Sequence, residues 1–319
     1  MVEEVTQWIR ENAHHLTTDE PAAPLTDVRP LADVVRDAEV VALGAAGRES
    51  RELSVVAHRM VRLLVEEEGF RTLVLEGDVP SRIGLDAYVN GGPGDPRALL
   101  SAARSFWRTE EMLDLIAWMR DHNRRHPHDP VHLTGSDGGA RQAPSSLDQL
   151  AAVERCLADD TIRWQERTGH KVVYWGGLAH TSNGDPRTLS PSPTPATHRN
   201  AGSHLRARFG ARFVSLGLTF HHGNVPFPVP APPPEFAEAV LGTAGTDAYL
   251  LDLRAAAPAA VRTWLATPTR TRLIGPAYDP AADADHHMSG GSLTDWFDAV
   301  VHVPEATPAR PLKHPGGAE

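Results

Sequence analysis

The chain has 319 residues, 41% of them hydrophobic and 23% charged, enough for one large core or a core with a smaller subdomain. Its 41 acidic against 31 basic residues give a formal net charge of -10 with neither sign in a long block, which argues against nucleic acid and anionic membrane as partners. No apolar run approaches the ~20 residues that span a bilayer, and the opening Met1-Val2-Glu3-Glu4 is acidic where a signal peptide is basic, so a cytoplasmic protein is expected.

Val5, Trp8 and Ile9 stand at helical spacing before Pro21 and Pro24, predicting an N-terminal helix and linker over 1–24, packed on a body that runs from 25 to 319. A short helix over Leu31 to Arg36 precedes the apolar run Val40-Val41-Ala42-Leu43, closed by Gly44, which reads as a buried strand. Leu53, Val56, Met60, Leu63 and Leu64 then share one helical face up to the stop at Gly69. Thr72 to Glu76 is the next buried strand, and strand, helix, strand in this compass is a right-handed βαβ unit with parallel strands.

Met112, Leu115, Ile116 and Met119 place a helix over about Glu110 to Asn123, whose end at His122-Asn123-Arg124-Arg125-His126 reads as solvated. Strands follow at Val131 to Thr134 and Lys171 to Trp175, separated by a small helical insert around 140–170 with its helix over Leu147 to Arg167. Within it, Cys156, the one cysteine, reads as a packed thiol and rules out an intrachain disulfide. Further strands are expected at Arg212 to Phe220, Ala248 to Leu253 and Ala299 to Val303. The fold class is therefore α/β, a mostly parallel central sheet with helices on both faces. Asp185 to Thr197, with four prolines, and Asn224 to Pro234, with six, read as loops after strands, where substrate-facing lids of α/β proteins lie.

Polar or glycine-rich sequence closes three of the strands: Gly44 to Glu52, Glu76-Gly77-Asp78, and Gly176-Gly177-Leu178-Ala179-His180. Parallel neighbours would bring these ends to one rim, joining a carboxylate, a histidine and arginines as base, acid and anion clamp. The alternative for Glu76 is an ion pair with Arg48 or Arg51. His221-His222 and Asp285-His286-His287 carry metal-ligating groups, but adjacent strand residues face opposite ways, so no metal site is assigned. Gly44 and Gly47 match neither a P-loop nor a dinucleotide fingerprint, and no cofactor is expected.

These residues resemble the erythromycin esterase family. The likeness runs through Leu43-Gly44 to Arg51-Glu52, Val65-Glu66-Glu67-Glu68-Gly69-Phe70, Leu75-Glu76-Gly77-Asp78, Trp107-Arg108-Thr109-Glu110-Glu111, Gly135-Ser136-Asp137, Val172-Val173-Tyr174-Trp175, Leu251-Asp252-Leu253-Arg254 and Trp296 to Val300. The resemblance implies a hydrolytic fold, yet the family's loop glutamate falls on Ala45 and its general-base histidine on Arg48, and neither replacement takes a proton from water near neutral pH. At the third strand end the family's first histidine and its asparagine fall on Gly177 and Leu178, while His180 and Glu76 are kept, as are Arg51 and Glu52.

The expected proton-transfer groups are thus Glu76 and His180, with Arg48, Arg51, Glu52, Glu111, Asp137 and Trp175 as substrate contacts. Three functions remain open at this point: a small-molecule enzyme of changed, acid–base chemistry such as cyclisation, elimination or isomerisation of a natural product; a metal-independent ester or lactone hydrolase; and a non-catalytic binder.

Overall fold

The computed structural model describes residues 2–139, 147–184, 187–190, 196–245, 247–275 and 278–313. Its strands, in chain order, are β1 (His14–His15), β2 (Val40–Ala45), β3 (Phe70–Glu76), β4 (His132–Ser136), β5 (Lys171–Gly177), β6 (Arg187–Leu189), β7 (Ala196–His198), β8 (Phe213–Asn224), β9 (Pro228–Val229), β10 (Tyr249–Asp252), β11 (Thr269–Arg272), β12 (His287–Gly291) and β13 (Ala299–Ala306).

The main sheet runs β1-β10-β13-β8-β2-β5-β3-β4. From β13 to β4 every pairing is parallel, and β1 and β10 add an antiparallel edge. Strict alternation along the strands feeds two cores. Val41, Leu43, Leu73, Leu75, Val173, Trp175, Val214 and Leu216 join the larger core with helices Arg51–Glu66 and Glu110–Arg125. Val40, Ala42, Val74, Val172, Tyr174 and Phe213 turn the other way, onto helices Leu147–Thr168 and Ala201–Phe209. The result is an α/β sandwich with helices on both faces of a mostly parallel sheet.

Two helices start on side-chain caps that their sequences supply. Ser50 accepts from the Leu53 N–H ahead of Arg51–Glu66, and Thr109 from the Met112 N–H ahead of Glu110–Arg125.

Some expectations are corrected. His14–His15 extends the main sheet, pairing with Tyr249 and Leu250, so the N-terminal segment contributes a strand as well as a helix. The end of helix Glu110–Arg125 is not solvated throughout: His122 and Asn123 are buried. The Asn123 amide explains this, donating to Val131 O at 2.8 Å and accepting from Val131 N at 2.7 Å, which clips the helix end to the start of β4. The stretch from Asp185 to Thr197 is not all loop, since β6 and β7 pair with each other and extend a second sheet, β11-β12-β6-β7; its residues 185–186 and 191–195 lie outside the described residues. So do 140–146 of the helical insert and the last six residues, 314–319. Cys156 is half-buried, 3.8 Å from Asp160 Oδ2.

One row across the carboxyl ends of the strands is almost bare of side chains. Gly44 is in register with Gly176 on one side and Gly217 on the other, and Glu76 lies beside Gly176. A Cβ on Gly176 would stand 2.7 Å from Glu76 Cβ, and one on Gly44 would stand 1.9 Å from Thr181 Oγ1. The glycines therefore make room for the Glu76 side chain and for the short helix Leu178–Thr181, which carries His180. Gly44→Ala should cost about 1–3 kcal/mol by overpacking, read by urea denaturation. Gly47→Ala, whose nearest new contact is an ordinary 3.5 Å to Phe220, should stay within about 0.5 kcal/mol.

Candidate functional site

Glu76 ends β3 with its side chain on the glycine-row face, and the loops that follow β2 and β5 close over it. Arg48 Nη1 donates to Glu76 Oε2 at 2.5 Å, and the Gly177 backbone N–H donates to the same oxygen at 3.0 Å. His180 Nε2 stands 3.8 Å from the other oxygen, Oε1. The side chain of Glu76 is 8% exposed, whereas those of Arg48 and His180 are 21% and 22% exposed, so solvent reaches the carboxylate's two cationic neighbours and not the carboxylate itself.

Gly177 has a second part in this convergence. A Cβ there would lie 3.4 Å from the His180 ring and 3.6 Å from the Arg48 guanidinium, so a bare glycine separates the two cations. Phe106 backs the guanidinium, with Arg48 Cζ 3.8 Å from the ring centroid, a cation–π contact. Trp107 donates its indole N–H to the Glu76 carbonyl at 3.1 Å and fixes the strand end.

The sequence reading missed Glu154, on helix Leu147–Thr168. Fully buried, its Oε1 accepts from His180 Nδ1 at 2.9 Å and from Arg187 Nη2 at 3.2 Å, with His198 Nε2 at 3.5 Å. Its Oε2 accepts from the Ala201 N–H at 2.9 Å, at the start of helix Ala201–Phe209. Arg187, itself buried, also donates to Ala179 O, which the Asn200 amide reaches at 2.8 Å. The residue before His180 is thus anchored from two further elements. A signal was present in the sequence: Glu154 falls on the buried stripe of Leu157, Ala158 and Thr161, where an isolated carboxylate needs a partner.

Electrostatics follow from this packing. Burial pushes the Glu76 carboxyl up, but Arg48 and His180 outweigh it and hold it below its ordinary value. Glu154 is likewise raised by burial and driven well down by His180, His198 and Arg187. Burial alone would strip the proton from His180, yet Glu154 and Glu76 on either side raise its pKa above the ordinary 6.5. The cluster thus sets two ionised carboxylates against Arg48, Arg187 and a histidine whose hold on its proton they strengthen.

Arg48 opens onto a cleft of about 220 Å³ that Phe106, Val225, Phe227 and Ile274 also line. A larger cavity of about 700 Å³ lies against helix Glu110–Arg125, but its polar groups are committed: Arg120 bonds to the carbonyls of Tyr88 and Gly92, and Asp121 to Arg124. Among the described residues, no group of three or more His, Cys, Asp and Glu residues is arranged to hold a metal ion.

Of the eight residues expected from the sequence, the structure gathers Arg48, Glu76 and His180. Trp175 alternates to the far face, in the larger core, its ring 5.3 Å from that of Trp107. Arg51 pairs with Asp19 at 2.6 Å, and Glu52 accepts from the Thr307 N–H at 2.6 Å, holding the C-terminal segment. Glu111 is buried against Arg310 at 2.8 Å, and Asp137 pairs with Arg82 at 2.6 Å. His221 and His222 contact each other at 3.0 Å, while His286 accepts from the Asp279 N–H and His287 meets Ala284 O.

Comparison with known proteins places these features. A family model described as erythromycin esterase matches residues 65–153 and 140–306. The chain is similar to the putative hydrolase YbfO of Bacillus subtilis (strain 168), 28% identical over 131 residues, and to the erythromycin esterase type II of Escherichia coli, 23% identical over 118 residues. These stretches cover 41% and 37% of the chain and 28% of either relative's length. A crystal structure of a Bacillus cereus protein shares the fold at a TM-score of 0.82 and 20% identity, over 97% of this chain and 99% of that one.

Two measurements test the cluster. In Glu154→Gln the His180 pKa should fall toward or below 6.5 by NMR titration, and Glu154→Ala should cost about 3–5 kcal/mol because it strands the buried Arg187. The stability due to Glu76 and Glu154, whose pKa values are lowered, is present above their ordinary 4.5 and is lost as pH falls through the depressed values. That due to His180, whose pKa is raised, is present below 6.5 and is lost as pH rises through the folded value. Together they should make the cluster's contribution largest between about pH 4.5 and 6.5, as read by urea melts across pH.

Proposed function

The chain belongs to the erythromycin esterase family, and from that premise we propose that it is an esterase-like enzyme acting on a small-molecule natural product by general acid–base chemistry such as cyclisation, elimination or isomerisation. The observation that carries this reading is the Arg48 guanidinium on Glu76, in the loop position where the family resemblance calls for a base. A carboxylate bonded to Arg48 and to the Gly177 N–H, and held below its ordinary pKa, is a poor acceptor for a proton from water.

A substrate oxygen changes that balance. Arg48 engages the oxygen, loosens from Glu76 and leaves a desolvated carboxylate whose basicity rises. Glu76 then takes a proton from one substrate atom while His180 gives its Nε2 proton to a substrate oxygen, with Glu154 holding Nδ1–H and stabilising the imidazolium throughout. Afterwards the proton passes from Glu76 to His180 across the 3.8 Å that separates them, which restores both groups with no net uptake or release. Such a closed proton cycle suits rearrangement, elimination or ring closure.

Family membership also favours a second reading, hydrolysis of an ester or lactone with Glu76 or His180 as base. Purified protein incubated with lactones, aryl esters and oxygenated polycyclic metabolites, followed by mass spectrometry, separates the two. Isomeric or dehydrated products support the first reading, and a hydroxy acid heavier by one water from a lactone, or an acid and a phenol from an aryl ester, support the second. On any turned-over substrate, Glu76→Gln and His180→Gln should each lower kcat by about 10²–10⁴-fold, and unchanged rates in both would remove the acid–base assignment. Activity should fall as pH rises through the raised His180 pKa, above 6.5, and Glu154→Gln should move that limb to lower pH.

A further inference from the structure

The cleft beside Arg48 is lined by two charged side chains, Arg48 and Glu49, and by an apolar set. Among the described residues Arg48 uses only Nη1, on Glu76, so its Nε–H and Nη2–H are left for a ligand. Phe106 supports the guanidinium from one face, and Phe227, Val225 and Ile274 complete the wall. Phe227 is half-buried and stacked on Tyr278 at 5.1 Å with an 18° interplanar angle, a preset flat surface beside the cleft. Val225 is buried, and Gly47 keeps the floor open next to it and to Ile274.

Resting on the catalytic reading above, we propose that this cleft takes a compact, flat, apolar monocarboxylate, its carboxylate on Arg48 and its ring against Phe106 and Phe227. Charge sets the sign. Arg48 is the cation that lines the cleft, and a planar guanidinium with two free N–H groups matches a carboxylate edge. Glu49 lines the same cleft and opposes a second negative charge on the ligand, which disfavours a phosphate-like dianion. Size sets the rest, since about 220 Å³ lies below the usual range for drug-sized ligands and fits a single ring system.

Calorimetric titration with benzoate, benzamide, benzylamine and phenyl phosphate tests this. Benzoate should bind at least tenfold more tightly than each of the others, and Phe227→Ala should weaken it several-fold. Arg48→Met should abolish benzoate binding; because that change strands the Glu76 carboxylate, the pair Arg48→Met with Glu76→Gln is measured beside it. Benzamide, benzylamine or phenyl phosphate binding as tightly as benzoate, benzoate binding that survives loss of Arg48, or no benzoate binding at millimolar concentration overturns the proposal. Binding is read without turnover, so benzoate selectivity in a protein inert toward every substrate removes only the catalytic reading. Turnover without that selectivity removes only this one.

Discussion

A carboxylate buried at the end of a central strand must find positive charge or lose its own, and Glu76 meets that requirement by drawing in the segments that close β2 and β5. Arg48 arrives from the end of β2, the Gly177 N–H from the end of β5, and the His180 ring from the turn after it. None of these contacts forms unless β2, β5 and β3 lie side by side and parallel, so sheet order and site are one construction. The row of glycines is the steric side of the same arrangement, because the carboxylate and the Leu178–Thr181 helix occupy the volume that side chains at positions 44 and 176 would fill.

Behind this first carboxylate stands a second, and the pair gives the histidine its character. Between Glu76 and Glu154, the His180 pKa is raised above its ordinary value, although burial of the imidazole by itself would lower it. Glu154 is supplied by the helical insert, while Arg187 and Asn200 fix the backbone around His180 from the second sheet and from helix Ala201–Phe209. The insert and the small sheet are therefore not decoration on the central fold. They set the protonation and orientation of a group that the main sheet only delivers to the rim.

The arginine in the first loop changes what the carboxylate is suited to do. In place of a residue that would accept a proton stands one whose guanidinium pairs with Glu76 and helps to hold that carboxyl below its ordinary pKa. The same guanidinium lines a cleft together with Glu49 and several apolar side chains. Family membership and fold carry over to this chain, and function belongs to the side chains that fill the site rather than to the fold.

By itself the sequence determined the alternation of strands and helices, the parallel βαβ opening and the three polar strand ends, because hydrophobic period and glycine stops are local signals. It also determined that Arg48, Glu76 and His180 belong to those ends. Only the tertiary structure decided that Arg51, Glu52, Glu111 and Asp137 turn to Asp19, Thr307, Arg310 and Arg82, since those partners lie on segments that only folding brings alongside. The same holds for β6 and β7, whose proline-rich surroundings read as loop and whose pairing comes from a distant strand, and for the His14–His15 edge, too short to carry a periodic signal. Glu154 is the sharpest case. Its place on an apolar helix face was written in the chain, but its partners lie 26 to 47 residues away, and only folding brings them to it.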